Sequence, residues 1–225
     1  MKAPTGQFKG GFSEDLFEFE KNLSREGCIH IAGVDEAGRG PLAGPVAAAA
    51  VILPSAWFIQ GLPGSLFGLT DSKQLTEGQR ERFFETLTTI PDVEFAISLV
   101  EAEEIDQINI LRASLVAMKR AIEQLCLVPD HVLVDGNQKT SGEWTQTAVV
   151  KGDARSYSIA AASVLAKVTR DRIMLHYDRE YPLYGFASHK GYGTPQHLAA
   201  LAIHGPCPIH RRSFAPLRPT TLELF

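Results

Sequence analysis

The chain has 225 residues, of which 44% are hydrophobic and 21% are charged, and its formal net charge is −4. This composition excludes a disordered, collagen-like or membrane-spanning chain, and the length predicts one compact domain with short appendages. The charge is uneven. Residues 1–138 hold 11 basic and 20 acidic side chains (−9), whereas residues 139–225 hold 11 and 6 (+5). The charge therefore permits a nucleic-acid partner without proving one, and the C-terminal part would be the strand-holding half.

Short apolar runs predict five strands, at residues 29–34, 46–53, 93–100, 131–134 and 147–150. The glycine-rich turn at 38–41 should join the first two strands as a hairpin. Helices are expected at 76–87, which Thr76 can cap, at 103–125 and at 158–176. The class is α/β: a five-stranded mixed sheet of three antiparallel strands and two parallel to the first, with helices on both faces.

Residues 1–27 are interpreted as a partly helical lead-in segment, 28–215 as the main domain and 216–225 as a tail. No signal-peptide layout is evident at the start, so we expect a cytoplasmic protein with no membrane partner.

Three cysteines without a close pair predict reduced thiols. Cys126 and Met118 are interpreted as core residues. The spacing of His204, Cys207 and His210 imitates a zinc site, but three candidate ligands with flanking prolines predict no zinc.

Four acidic residues stand where predicted strands end: Asp35 and Glu36 after the first, Asp135 after the fourth and Asp153 after the fifth. Each alone could be an ordinary turn or cap residue. Strand ends are where α/β sheets usually place ligands, and converging carboxylates repel one another unless cations neutralise them. Oxygen ligands select Mg²⁺ or Mn²⁺, and two such ions can activate a water and stabilise the leaving oxygen of a phosphodiester.

Residues 33–46, GVDEAGRGPLAGPV, resemble over their whole length the signature of type 2 ribonuclease H, the bacterial ribonuclease HII family. The resemblance continues in order through DSK at 71–73, VDGN at 134–137, KGD at 151–153, SIAAASVLAK at 158–167 and HKGYGT at 189–194. It extends over roughly 29–215. Residues 205–214 resemble the closing motif of the family, which we interpret as structural and strand-facing.

The resemblance implies the ribonuclease H fold, with Asp35, Glu36, Asp135 and Asp153 as the metal-binding catalytic carboxylates and two Mg²⁺ or Mn²⁺ ions in the reacting complex. It implies an endoribonuclease that hydrolyses the RNA strand of RNA–DNA hybrids. It also implies cleavage on the 5′ side of single ribonucleotides in duplex DNA, leaving 3′-hydroxyl and 5′-phosphate ends.

Such an enzyme must sense the ribose 2′-hydroxyl. In the family the Gly-Arg-Gly motif, here Gly38, Arg39 and Gly40, contacts that hydroxyl through main-chain groups; without the resemblance the same residues could form a plain turn. Tyr192 matches the tyrosine that packs on the sugar following the ribonucleotide, although a core or turn tyrosine is the alternative. That contact would explain a preference for RNA-to-DNA junctions.

Further phosphate contacts are predicted from matching motifs, although surface lysines and serines are common. They are Lys73, Lys151, Ser156, Ser163 and Lys167. Arg170 and Asp171 are interpreted as an ion pair, and Asp171 is kept out of the metal site because Asp153 already supplies the fourth carboxylate.

The C-terminal residues 221–225, TLELF, resemble the short peptide by which bacterial DNA-processing proteins bind the replication sliding clamp. Thr221 replaces the usual Gln of that peptide. The clamp would bind through Leu222, Leu224 and Phe225, whereas the alternative is a frayed apolar tail. We expect a monomer, because no long exposed apolar seam is evident.

Two rival functions share this fold. A non-catalytic nucleic-acid binder would not need all four acids, and a junction resolvase or integrase-like nuclease would have no 2′-hydroxyl to read with Gly38–Gly40 and Tyr192.

Overall fold

The computed structural model describes residues 15–218, which contain one mixed sheet of five strands. The strands are β1 Ile31–Ala37, β2 Val46–Ile52, β3 Glu94–Val100, β4 His131–Asp135 and β5 Gln146–Val149. Their order across the sheet is β3-β2-β1-β4-β5; β2 is antiparallel to β1 and β3, whereas β4 is parallel to β1 and β5. This confirms the predicted mixed sheet.

Eight helices accompany the sheet in the described part of the chain. They are α1 Glu18–Arg25, α2 Trp57–Gln60, α3 Glu77–Thr89, α4 Ala102–Ile108, α5 Ile110–Glu123, α6 Tyr157–Glu180, α7 Phe186–His189 and α8 Pro195–His204. Thr76 caps α3 as predicted, because its hydroxyl accepts a hydrogen bond from the N–H of Gln79 while the Gln79 side chain accepts one from Thr76. None of these helices is long and apolar enough to cross a membrane.

The predicted single helix at 103–125 is wrong at one point, because the chain breaks at Asn109 into α4 and α5. Asn109 has φ +68°, and its side chain accepts a hydrogen bond from the N–H of Arg112 to cap α5. Asparagine tolerates this left-handed conformation and is a good cap, so it ends one helix and begins the next. The apolar spacing runs through the break, which is why periodicity alone predicted one helix.

The two faces of the sheet are covered by different helices. Alternate residues of the strands pack on α6 and α3 on one side, with Val51, Leu133 and Ile159 in that core. The other set packs on α5, with Val34 and Ala117 among its buried members. Helices therefore lie on both faces, as predicted. A third apolar cluster around Met174 and Phe186 lies beyond the sheet, under residues 42 and 43.

Helix α6 lies very close to the central strand because its first turns are rich in small residues. Ala160, Ala161 and Ala162 are fully buried. At Gly33 of β1, an added Cβ would lie 2.2 Å from the backbone carbon of Ser158, so only glycine allows this approach. Gly33, two residues before Asp35, is therefore where α6 approaches β1 closely enough to require glycine.

The segment before β1 joins the same core. Phe17 is 2% exposed and packs in the α6 core. Glu20 is buried in α1, and its carboxylate accepts hydrogen bonds from the Ser156 hydroxyl at 2.6 Å and the N–H of Ser158 at 3.1 Å. The domain division at residue 27 stays a prediction. Through Glu20, α1 is hydrogen-bonded to the first residues of α6.

The three cysteines are free. Met118 is buried as predicted, whereas the prediction for Cys126 is wrong, because that residue is exposed. Cys126 lies after the C-terminal end of α5, so it is not part of the apolar helix face that packs on the sheet. Cys207 is buried, and its Sγ lies 3.1 Å from Nδ1 of His210. His210 in turn lies 3.0 Å from His197, nitrogen to nitrogen, so these side chains satisfy one another inside the third cluster.

Candidate active site

The four predicted acidic residues are brought to one edge of the sheet. Asp35 and Glu36 lie near the C-terminal end of β1, and Asp135 ends the neighbouring parallel strand β4, in which Val134 pairs with Val34. Asp153 lies in a short 3-10 turn after β5. The N–H of Gly152 donates to Oδ1 of Asp135 at 2.7 Å, and the N–H of Asp153 donates to the same oxygen at 3.4 Å. The register of parallel strands therefore produces the cluster.

Burial and mutual repulsion raise the pKa values of three carboxyl groups in this cluster. Burial raises the pKa of Asp35 well above its ordinary value, and the carboxylates of Glu36 and Asp135 raise it further. Burial likewise raises the pKa of Glu36, against the opposing effect of Arg39. The pKa of Asp153 is raised by burial and then by Asp135. These carboxyls would be easier to ionise beside a cation.

Two basic side chains already lie against the cluster. Lys73 Nζ is 3.4 Å from Oδ2 of Asp153, and Arg39 Nη1 is 3.4 Å from Oε1 of Glu36. Burial alone would lower the pKa of Lys73, but the carboxylates around it, Asp153 first, raise it overall. Both basic side chains are largely exposed, so much negative charge remains for a ligand to neutralise.

The chemistry of these donors fits Mg²⁺ or Mn²⁺. All four side chains offer hard oxygen ligands, and their mutual repulsion would be relieved by divalent cations. Within residues 15–218, no group of three or more His, Cys, Asp or Glu side chains could hold an ion as it stands. The carboxylates thus supply the right ligand type at one place, and their side chains would adjust on binding.

A cleft of about 400 Å³ opens beside three of these carboxylates. Its lining combines acidic, basic and glycine residues and consists of residues 35–40, Ser72, Lys73, Asp135, Ser163, Lys167, Arg170 and Tyr192. Asp153 borders this cleft through its contact with Lys73. Gly38 has φ +98°, and an added Cβ there would meet the Arg170 side chain at 2.0 Å, so glycine is required.

The predicted sugar-reading residues face the same cleft. In the hydrogen bonds found among residues 15–218, the N–H groups of Gly38, Arg39 and Gly40 have no acceptor, so all three can donate to a ligand. Tyr192 is 45% exposed, and a Cβ on Gly40 would lie 3.5 Å from its ring. Residues 38–40 and Tyr192 are therefore adjacent walls of one cleft.

The predicted phosphate contacts divide into two groups. Lys73, Ser163 and Lys167 line the cleft. Lys151 is exposed and precedes the turn of Asp153, but it is not part of the lining. Ser156 is fully buried as the cap of α6, where its hydroxyl accepts from the N–H of Ile159 and donates to Glu20. That hydroxyl is already bonded and is unavailable to a strand.

The predicted ion pair between Arg170 and Asp171 is wrong. Asp171 instead accepts from Lys167 at 2.7 Å, one helical turn away. Arg170 points the other way, is 1% exposed, and donates to the carbonyls of Ala43 and Pro45. Neighbours in a helix point about 100° apart, so adjacent charges seldom pair there.

Sequence reasoning also missed supports of the site. Ser72 is buried, and its hydroxyl accepts from Ser163 at 2.6 Å, which joins the segment after Leu69 to α6. Asp71 lies close enough to Asp153 to raise its pKa, so a fifth carboxylate borders the cluster. The motif at 71–73 was the available signal, but only its lysine was assigned.

A comparison with protein families identifies the chain. The model described as "Ribonuclease HII" matches residues 32–217, which include the whole site. The chain belongs to the ribonuclease HII family. It is therefore a type 2 ribonuclease H, a metal-dependent nuclease of the hydrolase class.

Curated relatives agree over nearly the whole chain. The chain is 50% identical over 204 residues to the ribonuclease HII of Endomicrobium trichonymphae, covering 90% of this chain and 93% of that protein. It is 50% identical over 206 residues to the ribonuclease HII of Caldicellulosiruptor saccharolyticus, covering 92% and 97%.

Solved structures share the fold. The ribonuclease H2 of Pyrococcus horikoshii is 31% identical, with a TM-score of 0.69 over 84% of this chain and 95% of that one. The ribonuclease HII in a PCNA complex from Archaeoglobus fulgidus is 25% identical, with a TM-score of 0.65 over 87% and 100%. A Bst ribonuclease HIII solved with Mn²⁺ is 15% identical, with a TM-score of 0.63 over 84% and 68%, and supports the fold alone. The predicted ribonuclease H-like fold is confirmed.

Proposed function

We propose that this ribonuclease HII hydrolyses the RNA strand of RNA–DNA hybrids and cuts duplex DNA on the 5′ side of single embedded ribonucleotides. The proposal rests on one cleft that is lined both by carboxylates of the cluster and by Gly38, Arg39 and Gly40, whose N–H groups have no acceptor among residues 15–218. A cleft built only to cut DNA would have no 2′-hydroxyl to contact.

The reaction would be carried by Asp35, Glu36, Asp135 and Asp153. These residues would hold two Mg²⁺ or Mn²⁺ ions, which would activate a water and stabilise the leaving 3′-oxygen when bound. Burial and mutual repulsion of the carboxylates support this role, since both favour binding of cations over four free charges. The products would carry 3′-hydroxyl and 5′-phosphate ends.

Recognition would divide between the sugar and the phosphates. The main-chain N–H groups at 38–40 would contact the 2′-hydroxyl, while the ring of Tyr192, beside Gly40, would pack on the following deoxyribose. Lys73 and Lys167 would contact phosphates, which is supported by their position in the lining of the cleft. Ser163 lines the cleft as well, but its hydroxyl hydrogen is already donated to Ser72, so it is left out of the proposed contacts. Lys151, exposed nearby, would meet the strand further out. Ser156 is left out of the proposed contacts.

The test is cleavage of end-labelled duplexes with Mg²⁺ or Mn²⁺. A duplex with one ribonucleotide should be cut once, on its 5′ side, whereas an all-DNA duplex of the same sequence should stay intact. The Asp35→Asn variant should bind the substrate and leave it uncut. Cleavage of the all-DNA duplex would favour a different nuclease, and binding without any cleavage by the unaltered protein would favour the non-catalytic function.

We also propose that the tail binds a replication sliding clamp through Leu222, Leu224 and Phe225, which lie outside the described residues. The Archaeoglobus fulgidus relative was solved with PCNA, which supports such a partner for the family. Deleting residues 222–225 should abolish clamp affinity and leave cleavage of a free duplex unchanged. Unchanged clamp affinity would refute this.

A sizing column tests the proposed monomer, which a stable dimer would contradict.

A further inference from the structure

Two arginine side chains are buried beneath residues 38–45, which we call the glycine loop. Arg211 is fully buried and Arg170 is 1% exposed. Neither takes part in an ion pair found among residues 15–218. A buried guanidinium with no carboxylate at ion-pair distance needs other acceptors for its five N–H groups.

Those acceptors are the carbonyls of the glycine loop. Arg211 donates from its side chain to the carbonyls of Gly38 (2.6 Å), Arg39 (3.0 Å), Pro41 (2.9 Å) and Gly44 (2.9 Å). Its backbone N–H donates to Leu42, and Arg170 donates to Ala43 (3.1 Å) and Pro45 (3.0 Å). Seven of the eight loop carbonyls, all except that of Gly40, are therefore bonded to these two residues.

This arrangement decides where the N–H groups of the loop point. A trans peptide holds its N–H opposite to its carbonyl, so turning the carbonyls of Gly38 and Arg39 inward turns the N–H groups of Arg39 and Gly40 outward. Arg39 and Gly40 line the cleft, and their N–H groups have no acceptor within residues 15–218. The inward bonds to Arg211 thus preset the outward donors.

The arrangement requires arginine at this position. Burial, and then the like charge of Arg170, lower the pKa of Arg211 to about 9, which leaves it charged at neutral pH. Its planar fork reaches four carbonyls at once, whereas a lysine has three donors on one atom and cannot span them. Replacement by lysine keeps the charge and releases part of the loop.

We propose that Arg211, with Arg170 beside it, is a positioning residue that holds the N–H groups of the glycine loop toward the cleft and thereby sets the discrimination between ribose and deoxyribose. Neither guanidinium would touch the 2′-hydroxyl itself. The inference rests on the proposed function, because it concerns how the same cleft would select its substrate.

The test measures discrimination separately from activity. For each variant, the KM for a duplex with one ribonucleotide is compared with the Ki of the all-DNA duplex as a competitor, and the ratio Ki/KM is the readout. Arg211→Lys should lower this ratio about tenfold, the value of one lost hydrogen bond, through a raised KM with Ki unchanged. Arg170→Lys should lower it about threefold, because its carbonyls lie further along the loop. Arg179→Lys, exposed near the end of the same helix as Arg170, is the matched control and should leave it unchanged.

A merely structural role would lower melting temperature and kcat while leaving Ki/KM unchanged, and that result in Arg211→Lys would overturn the proposal. If Arg211→Lys cannot be recovered folded, Arg170→Lys decides: a lowered ratio supports the proposal and an unchanged ratio overturns it. An equal fall in the Arg179→Lys control would also overturn it. Failure of the proposed function is distinct, because the unaltered protein would then not cleave the ribonucleotide duplex.

Discussion

Replacing Gly33 by alanine should destabilise the protein strongly, because this residue sets the distance between β1 and α6. The added Cβ would lie 2.2 Å from the backbone carbon of Ser158 and 2.4 Å from the backbone nitrogen of Ile159. Ordinary carbon contacts lie near 3.5 Å, so the helix would have to move by roughly 1 Å. No side-chain rotation can relieve the clash, because the obstacle is helix backbone.

The cost should be about 3 kcal/mol of unfolding free energy, at the upper end of the range for overpacked cores. For a chain of this length that corresponds to a fall in melting temperature of about 6–12 °C. Ser163 and Lys167, which line the cleft, lie on the same helix and would be displaced with it. We therefore expect kcat/KM to fall as well.

Urea unfolding of the variant beside Gly78→Ala makes the test specific. Gly78 lies in α3 with nothing within 4 Å of an added Cβ, so alanine there should stabilise by about 0.5 kcal/mol through helix propensity. Equal unfolding free energies for Gly33→Ala and the unaltered protein would refute the close approach of α6 to β1.

Three further substitutions test the site and its supports. Asp35→Asn removes a buried charge from among like charges, so without metal it should raise the free energy of unfolding by about 1 kcal/mol; it should also abolish the rise in melting temperature caused by Mg²⁺ or Mn²⁺. Ser156→Ala should lower the free energy of unfolding by about 1–2 kcal/mol through loss of the α6 cap, with KM for the ribonucleotide duplex unchanged. Burial raises the pKa of Glu20, so the folded protein retains this proton above the pH at which the unfolded chain loses it, and the contribution of Glu20 to stability falls as pH rises above about 4.3. Glu20→Gln should therefore gain stability relative to the unaltered protein as the pH rises above about 4.3.

Each of these predictions has a contrary result. A metal-induced rise in melting temperature that persists in Asp35→Asn would remove that residue from the ion site. A raised KM in Ser156→Ala would return Ser156 to the strand contacts. If the difference in unfolding free energy between Glu20→Gln and the unaltered protein did not change with pH, Glu20 would not be titrating in the folded core.

The sheet and the positions of the acidic residues could be predicted because their signals are local. Each strand is a short apolar run bounded by turn residues, and a helix between strands favours parallel pairing. Asp35 and Asp135 were expected to converge for that reason, and the register of β1 with β4 brings their strand ends together. The break at Asn109 was missed because apolar spacing does not report the backbone conformation of one residue.

The supports of the site could not be predicted, because each depends on contacts between distant parts of the chain. Arg170 and Arg211 look like ordinary basic residues in the sequence, yet their acceptors lie 125 and 167 positions away, at Pro45 and Gly44. Glu20 accepts a hydrogen bond from Ser156, which lies 136 positions away in the sequence. Local composition predicts that such charged side chains lie at the surface, where water accepts their hydrogen bonds. Only the three-dimensional structure shows that distant backbone carbonyls accept the hydrogen bonds of Arg170 and Arg211 instead.

The central claim is that the cleft reads a 2′-hydroxyl and directs the cut beside it. The most direct measurement moves a single ribonucleotide one position at a time along an otherwise constant DNA duplex and maps the cut at nucleotide resolution with Mg²⁺ or Mn²⁺. We predict one cut that moves with the ribonucleotide and always lies on its 5′ side. A cut that stays at a fixed sequence or distance from the duplex end, or that also occurs without the ribonucleotide, would contradict it.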